Sequence, residues 1–476
     1  MKGMYKSMKE TFGLIVTSRS FFPAHLVKAA KDSVCTLLHE LGFGYITVSD
    51  EECNMGSVQT HEESMKCAEL FRKNKDIICG IIVVLPNFGE EGAVADAIKH
   101  SGLNVPVLVQ ACDDDFDKLD MANRRDAFCG KLSVCNNLYQ MNIPFTDTTT
   151  HTCKIDSNEF RLDIMRFAAI CRVVKALKSS RIALLGVRPS AFRTVRFSEK
   201  ILQRAGVDVE TVDMSVVIDR AECISDESLI SAMVEKIRGY GNIPEYISDE
   251  KVIKQAKLCI AVHQIVDELN CVASAVQCWD AIENYYGCAA CLSMSLMTDA
   301  GKPAACESDV MGALTMLALD KAAGSAPAYM DWNNNIRDER NKCLSQHCSN
   351  FPKSFFDAPI EIENLDVLST TLGAENCFGC CKGQVAAGPM TFAKLSTNDF
   401  TGEICAYIGE GNFVDEIMPT KGGLACCEID NLQGLMKYIC ANGFEHHVAF
   451  VRGHVAGILK EAFEKYLGYT VYHHNG

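Results

Sequence analysis

Apolar runs that fit β-strands alternate with amphipathic helical patterns over the first part of the chain. Strands separated in this way by helices favour a parallel sheet covered on both faces. The pattern therefore predicts a doubly wound α/β domain over residues 1–179. Its strands are Gly13–Thr17, Tyr45–Ser49, Ile78–Leu85 and Val105–Gln110, and its helices include Ala24–Leu41 and Glu62–Lys73.

The same alternation begins again after a long amphipathic helix at about Ser157–Leu177, with the apolar run Arg181–Val187. This renewed alternation predicts a second doubly wound domain over residues 180–350. No G-x-G-x-x-G sequence follows a predicted strand of the first domain, so a nicotinamide cofactor is not expected. The further elements predicted are the helix Phe192–Ala205, the strand Val207–Val212, helices near Glu227–Arg238 and Glu250–Leu269, and the strand Ala273–Cys278.

From about Phe351 the chain changes to short β-like runs separated by glycine and proline. This texture predicts a mainly β C-terminal domain over residues 351–476, with one helix near Val455–Tyr466. Its predicted strands include Gly383–Leu395, Ile404–Ile408, Gly423–Ile429 and Val448–Val451.

Charge and composition exclude several classes of protein. The 476 residues include 61 acidic and 46 basic side chains, which gives a net charge of −15 that repels nucleic acid and anionic membranes. The longest apolar stretch, Ile77–Pro86, is shorter than the roughly 20 residues that span a bilayer. Because the N-terminal segment also lacks an apolar signal core, we expect a cytoplasmic protein without a membrane partner.

The 25 cysteines of such a chain are expected to be reduced thiols rather than a disulfide framework. Cys288/Cys291 and the group Cys377, Cys380 and Cys381 resemble zinc-ligand spacings, but no compact second pair follows either of them. A thiol-redox or iron–sulfur protein remains an alternative interpretation of these cysteines.

Two carboxylates are predicted where apolar strands end. Glu307 follows Pro303–Cys306, and Asp331 follows Ala326–Met330. The segment between them fits a crossover helix, which would place the two acids side by side on adjacent parallel strands, at the edge where ligands bind. Asp309 is expected to be the N-cap of that helix.

His347 and His447 each lie beside a short strand-like run. Two acids and two imidazoles form a mixed oxygen and nitrogen set that suits Mn²⁺, Co²⁺ or Mg²⁺ better than thiolate-rich sites do. Lone histidines are usually core or surface residues, so the pattern by itself leaves the metal site open. The neighbouring His446 and His454 are expected to be supporting or structural residues.

The run G-K-P-A-A-C-E-S-D-V-M-G-A-L-T-M-L and the following P-A-Y-M-D-W resemble the metal-site segment of the L-fucose isomerase/L-arabinose isomerase superfamily. The separation of 24 residues between Glu307 and Asp331, from 331 − 307, is similar to that of the fucose isomerases. The G-x-x-H-H-V stretch resembles a third ligand region and indicates His447, while His347 occupies the place of a further histidine in the arabinose branch. G-P-M-T-F-A-K-L and A-V-Q-C-W also resemble segments of these proteins.

The resemblance implies a metal-dependent aldose–ketose isomerase that acts through an enediol. Glu307 and Asp331 would be ligands and the acid/base pair, with His447 and His347 completing the metal site. The substrate would be an L-fucose- or L-arabinose-type sugar or a 6-substituted hexose such as sulfoquinovose. A non-catalytic sugar-binding or regulatory protein built on the same α/β domains remains the alternative.

Five further residues are predicted to contact the sugar. A polar, stacking or cationic side chain at the predicted cleft suits a sugar or its anionic substituent. By resemblance, the loop that carries Arg19 approaches a neighbouring subunit of a homo-oligomer, expected to be a hexamer. The predicted sugar-binding residues are Gln277, Trp279, Arg188, Lys394 and Arg19.

Overall fold

A computed structural model describes residues 10–348, 350–416, 418 and 420–475. The chain separates into two compact units, Met1–Lys175 and Ala176–Gly476. Among the described residues, no helix combines the length and the apolar character that crossing a bilayer requires.

The first unit is built around a parallel sheet with the strand order β2-β1-β3-β4-β5. All eight residues of β3 are buried, as expected for a strand covered on both faces. The predicted α/β class is therefore confirmed here. The strands are β1 Thr11–Val16, β2 Gly44–Ile46, β3 Ile78–Leu85, β4 Val107–Ala111 and β5 Thr146–Asp147; the helices are α1 Ala24–Glu40, α2 His61–Lys73, α3 Glu91–Ser101, α4 Ala127–Gln140 and α5 Asn158–Lys178, which runs into the second unit.

The second unit begins with a smaller parallel sheet of order β7-β6-β8-β9, which confirms the second α/β fold. The strands are β6 Ser180–Leu185, β7 Val207–Val212, β8 Ala273–Val276 and β9 Ala304–Ala305; the helices are α6 Glu199–Ala205, α7 Met214–Cys223, α8 Glu227–Tyr240, α9 Asp249–Glu268, α10 Ala281–Tyr285, α11 Cys291–Asp299 and α12 Val310–Ala323.

The predicted helix Phe192–Ala205 is shorter than expected. Only a single 3₁₀ turn, Arg193–Val195, precedes α6, which begins at Glu199. Within that turn only Val195 is buried, so little apolar burial stabilises a helix there.

The rest of the second unit is a large mixed sheet of order β12-β13-β16-β11-β10-β17-β14-β15-β18, in agreement with the mainly β prediction. Its strands begin at Ala328, before the predicted domain boundary at residue 350, and that boundary stays a prediction. The strands are β10 Ala328–Ile336, β11 Glu339–His347, β12 Glu361–Asn364, β13 Phe378–Gln384, β14 Gly388–Asn398, β15 Glu403–Val414, β16 Gly423–Glu428, β17 His447–Arg452 and β18 Thr470–His474; the helices are α13 Asp366–Leu372, α14 Leu432–Ala441 and α15 Ala456–Glu461, which continues as a π-helical turn, Ala462–Leu467.

Helix α12 joins the two sheets of this unit. Most of its residues are buried, and it packs against β8 and β9 on one side and β14 and β17 on the other. The strand after α12 is not parallel to β9, as predicted, but antiparallel to β11 and β17 in the large sheet. That prediction was wrong because the length and apolar pattern of a helix do not specify which sheet its next strand joins.

Candidate metal centre

Four side chains that are distant in sequence meet within the second unit. His447 Nε2 lies 3.0 Å from Glu307 Oε2, and His347 Nε2 lies 3.2 Å from the same oxygen. Asp331 Oδ1 is 3.6 Å from His447 Nε2 and 3.7 Å from His347 Nε2. One ligand atom from each of Asp331, His347 and His447 lies within 4.8 Å of the others, as a common metal ion requires. The structure thus brings together all four predicted ligands.

Three of the four donors come from adjacent strands of the large sheet. Strand β10 lies between β11 and β17, and Asp331 is directly opposite His447 in the register. Directly opposite residues of antiparallel strands project to the same face. His347 ends β11, next to Gln346, which is the partner of Asp331 on the other side. Asp331 therefore lies inside a strand, not after one as predicted.

Glu307 reaches this group from the smaller sheet. It occupies the turn between β9 and α12, where Glu307 and Ser308 have φ angles of 53° and 59°. Two consecutive non-glycine residues in the left-handed region are uncommon, and each costs about 1–3 kcal/mol. The Ser308 N–H donates to the Val276 carbonyl at 3.1 Å, and the Asp309 N–H donates to the Cys306 carbonyl at 3.0 Å. These hydrogen bonds hold the strained turn.

The donor atoms fit a divalent cation. Asp331 Oδ1 and His447 Nε2 are buried and have no hydrogen-bond partner within the described part of the chain. Buried polar atoms are normally paired by hydrogen bonds. These two atoms lie close to neighbouring ligand atoms but do not form hydrogen bonds with them. A cation coordinated by two carboxylates and two imidazoles would satisfy them, and this set suits Mn²⁺, Co²⁺ or Mg²⁺.

Asp309 holds His447 from behind. As predicted, its side chain caps α12 by accepting from the Gly312 N–H at 2.7 Å. Its other oxygen, Oδ2, lies 3.0 Å from His447 Nδ1, accepts from Lys394 Nζ at 2.6 Å and also accepts from the Tyr329 hydroxyl. A carboxylate behind a metal-binding histidine fixes the orientation and the tautomer of the ring. The sequence analysis found the cap and missed this second contact, for which the E-x-D spacing was the available signal.

Burial and charge act in opposite directions on these groups. Burial alone would raise the pKa of Glu307, but His347 and His447 outweigh it and hold that pKa well below its usual range. Burial likewise lowers the pKa of His447, whereas its contacts with Asp309 and Glu307 together raise it to about 9. The Glu307 carboxylate is therefore ionised at neutral pH, as a metal ligand must be.

The structure corrects one predicted substrate contact. Lys394 is fully buried, and its ammonium pairs with Asp309 and contacts the Tyr329 hydroxyl at 3.3 Å. It therefore presents no charge to a sugar, contrary to the prediction of a cation that faces the cleft. Its sequence position in β14 gave no indication of which face of the strand was covered.

Gln277 and Trp279 lie in the segment that follows β8. The Gln277 side chain accepts from the Val187 N–H at 2.9 Å and donates to the Trp279 carbonyl at 2.8 Å, so it ties two loops together. The Trp279 ring lies 5.1 Å from that of Phe192, and its buried indole nitrogen has no partner among the residues described. Sugar binding by both residues stays a prediction.

Arg188 lines a cavity of about 910 Å³ together with Arg193 and Ser308, the residue after Glu307. Its Nη1 donates to the Pro189 carbonyl at 2.8 Å, within its own loop. Arg19 belongs to the first unit, where it pairs with Glu91 and Glu90. Its predicted contact with a neighbouring subunit, like the hexamer itself, stays a prediction.

The remaining histidines and the cysteine motifs have other surroundings. His446 is 40% exposed, with Nε2 3.8 Å from Asp331 Oδ1, while His454 lies beside Glu410. All 25 cysteines are free. Within the described ranges, no group with metal-binding geometry includes the C-x-x-C cysteines, Cys288, Cys291, Cys377, Cys380 and Cys381.

Comparisons with known proteins agree with this architecture. Residues 13–178 match the family described as fucose/sulfoquinovose isomerase, N-terminal domain, and residues 345–474 match the L-fucose isomerase C-terminal domain. A protein of Alkalicoccus urumqiensis named sulfoquinovose isomerase is 26% identical over 304 residues, which are 62% of this chain and 66% of that protein. A protein of the same name from Priestia aryabhattai is 24% identical over 308 residues, 64% of this chain and 67% of its own length.

The matched segments lie in both units, and together they cover the N-terminal α/β fold and most of the large sheet. They include neither the turn that carries Glu307 nor any part of β10, which carries Asp331. On these matches, the chain belongs to the fucose isomerase-like superfamily.

Proposed function

We propose that the chain is a metal-dependent isomerase that interconverts an aldose and a ketose, with a cation held by Glu307, Asp331, His347 and His447. The convergence of these donors carries the proposal, because Asp331 Oδ1 and His447 Nε2 are buried without a partner among the described residues. The names of the relatives support the same class of reaction.

The reaction transfers one hydrogen between C1 and C2 of the sugar and one proton between their oxygens. There is no net oxidation, so no nicotinamide is required. When bound, the cation polarises the carbonyl and stabilises the negative charge that develops on the two adjacent oxygens. The protein must then supply groups that remove and return a proton.

Glu307 and Asp331 are the groups proposed for this proton transfer. The low pKa of Glu307 leaves its carboxylate ionised, so it can accept the proton that leaves the sugar carbon. Asp331 is the most accessible of the four donors, with 25% of its side chain exposed, whereas the other three are at most 3% exposed. A sugar therefore approaches the centre on the Asp331 side. Positioned acid/base groups contribute about 10²–10⁴-fold to such reactions.

An anionic hexose of the sulfoquinovose type is the proposed substrate class. Arg188 and Arg193 line the cavity that reaches Ser308, and guanidinium groups suit the several oxygens of a sulfonate. The relatives' printed name agrees with this choice. A neutral L-fucose- or L-arabinose-type sugar is the competing substrate class.

The test is an isomerase assay on chelator-treated protein before and after Mn²⁺, Co²⁺ or Mg²⁺ is returned, with sulfoquinovose, L-fucose and L-arabinose as substrates. We expect turnover only with metal, and the highest kcat/KM with sulfoquinovose. Glu307→Gln should lower kcat by at least about 10²-fold. The control is Asp338→Asn, an exposed acid in the turn between β10 and β11, which should leave kcat unchanged.

Full turnover after complete metal removal would contradict the proposed mechanism. Tight binding of a sugar by the metal-loaded wild-type protein without any turnover would instead favour the non-catalytic alternative. Equal kcat/KM values for neutral and anionic sugars would contradict the substrate assignment alone.

A further inference from the structure

Three cysteine thiols lie close to the Glu307 carboxylate. One ligand atom from each of Cys278, Cys306 and Glu307 lies within 4.8 Å of the others. Cys348 Sγ lies 4.0 Å from Glu307 Oε1, whereas Oε2 is the oxygen nearest both imidazoles. The carboxylate therefore lies within reach of two kinds of donor with different chemistry.

The two sets differ in the cations they favour. Asp331, His347 and His447 supply only oxygen and nitrogen, but Cys278 and Cys306 supply two sulfur atoms to the trio that includes Glu307. Thiolates select soft or borderline cations such as Zn²⁺ and Cd²⁺, while Mg²⁺ and Mn²⁺ prefer oxygen. Zn²⁺ binds cysteine sulfur and carboxylate oxygen in tetrahedral sites, so two thiolates and a carboxylate would leave one position for water.

We propose that Cys278, Cys306 and Glu307 form a second cation site, specific for thiophilic divalent cations, which shares Glu307 with the four-donor centre. Binding exchanges two S–H protons for one cation, and both protons are released to solvent. No oxidant or reductant takes part.

The positions of the two thiols come from two adjacent strand ends. Cys278 lies just after β8 and Cys306 just after β9, and these parallel strands pair at Ala275 and Ala305. The carboxyl ends of neighbouring parallel strands lie at the same edge of a sheet. The ends of these strands therefore fix the positions of the two thiols. Binding an ion between them requires no rearrangement of the smaller sheet.

Occupation of the thiol site would compete with the four-donor centre. Glu307 belongs to both sets, and Cys306 Sγ also lies 3.4 Å from His347 Nδ1. A thiophilic cation would therefore draw Glu307 toward the sulfur atoms and remove a support of the His347 ring. The resulting inhibition rests on the proposed function, whereas the existence of the site does not.

Cadmium titration of chelator-treated protein tests the site directly. Sulfur-to-cadmium charge transfer absorbs in the ultraviolet and therefore reports binding by thiolates. We expect the wild type to develop a cadmium–thiolate absorbance band that the variant Cys278→Ser/Cys306→Ser lacks, because cadmium in that variant can bind only at the four-donor centre. A matched control is Cys343→Ser/Cys427→Ser, which alters another pair of buried, mutually hydrogen-bonded thiols. This control should titrate like the wild type.

Equal cadmium–thiolate absorbance in the wild type and in Cys278→Ser/Cys306→Ser would overturn the proposal. If that variant does not fold, anomalous diffraction from cadmium-soaked crystals of the wild type replaces it. A peak bound by Cys278 and Cys306 supports the site, and a peak confined to the four-donor centre contradicts it. Neither readout depends on turnover, so loss of the isomerase hypothesis would leave the result interpretable.

Discussion

Lys394 and Asp309 form a buried ion pair that positions His447. The Lys394 side chain is 0% exposed and that of Asp309 is 1% exposed, and Asp309 also contacts His447. Removing one partner of such a pair leaves the other charge buried and uncompensated, which typically costs about 3–5 kcal/mol. The pair therefore links the stability of the unit to the orientation of a metal ligand.

We predict that Lys394→Met lowers the free energy of unfolding by about 3–5 kcal/mol in denaturant titrations. It should also weaken Mn²⁺ binding in isothermal titration calorimetry, because His447 loses a firmly held partner. Lys437→Met, at an exposed site on α14, serves as the control and should change neither quantity. The double variant Lys394→Met/Asp309→Asn should be more stable than Lys394→Met alone, and the opposite order would contradict the explanation.

Glu283, on α10, is a second buried carboxyl group, 1% exposed, and neither of its oxygens has a hydrogen-bond partner among the described residues. Burial, reinforced by Asp280, raises its pKa to about 8 from an ordinary 4.5. Because the folded state holds the proton more tightly than the unfolded state, the stabilisation is complete below about pH 4.5. It is lost as the pH rises through 8.

Between pH 4.5 and pH 8 the wild type should therefore lose about 3–5 kcal/mol of its free energy of unfolding through this group. The variant Glu283→Gln should not show this loss. The variant and the wild type are compared by denaturant unfolding across this range. We expect Glu283→Gln to exceed the wild type most clearly at and above pH 8. Parallel stability curves for the two proteins would show that Glu283 is not the group responsible.

At the scale of an element, the first turn of α12 depends on a close approach to β10. A Cβ atom at Gly312 would lie 2.1 Å from the Tyr329 hydroxyl oxygen and 2.4 Å from its Cζ. Tyr329 in turn donates to Asp309, the cap of the same helix. The absence of a side chain at this one position therefore allows the helix, the cap and the metal-bearing strand to pack together.

Gly312→Ala should accordingly displace Tyr329 and destabilise the protein by about 1–3 kcal/mol, despite the higher helix propensity of alanine. Gly239→Ala, in α8, is a matched control because its Cβ would meet nothing within 4 Å. That control should stabilise the protein by up to about 1 kcal/mol. Thermal unfolding measures both, and similar shifts in the two variants would refute a steric cause.

At the scale of the whole molecule, the candidate metal donors all belong to the unit Ala176–Gly476. Ligand binding to the native state lowers the population of opened states in the region that binds. We predict that adding Mn²⁺ slows amide hydrogen exchange in peptides from the turn at Glu307, from β10 and from β17. Peptides from residues 10–175 should exchange at unchanged rates, and equal protection of both units would contradict this assignment.

The local pattern of apolar and polar residues was sufficient to predict much of the fold. The strands Ile78–Leu85 and Val207–Val212 were predicted with the bounds that the structure has, because each is a short apolar run between clear breaks. The Asp309 cap was likewise readable, since it depends on residues within one helical turn. The four donors were named from a resemblance of short motifs, not from periodicity alone.

The pairing of strands that are distant in sequence could not be predicted from the sequence. Asp331 faces His447 across 116 residues, from 447 − 331, because β10 pairs with β17 rather than with β9. The full burial of Lys394 has the same origin, since α12 and β10 bring Asp309 and Tyr329 over it. Residues close in sequence thus specified helices, strands and caps, whose energies are local. The cation site and its supporting charges depended on strand register and on packing between sheets, which involve partners that no local pattern identifies.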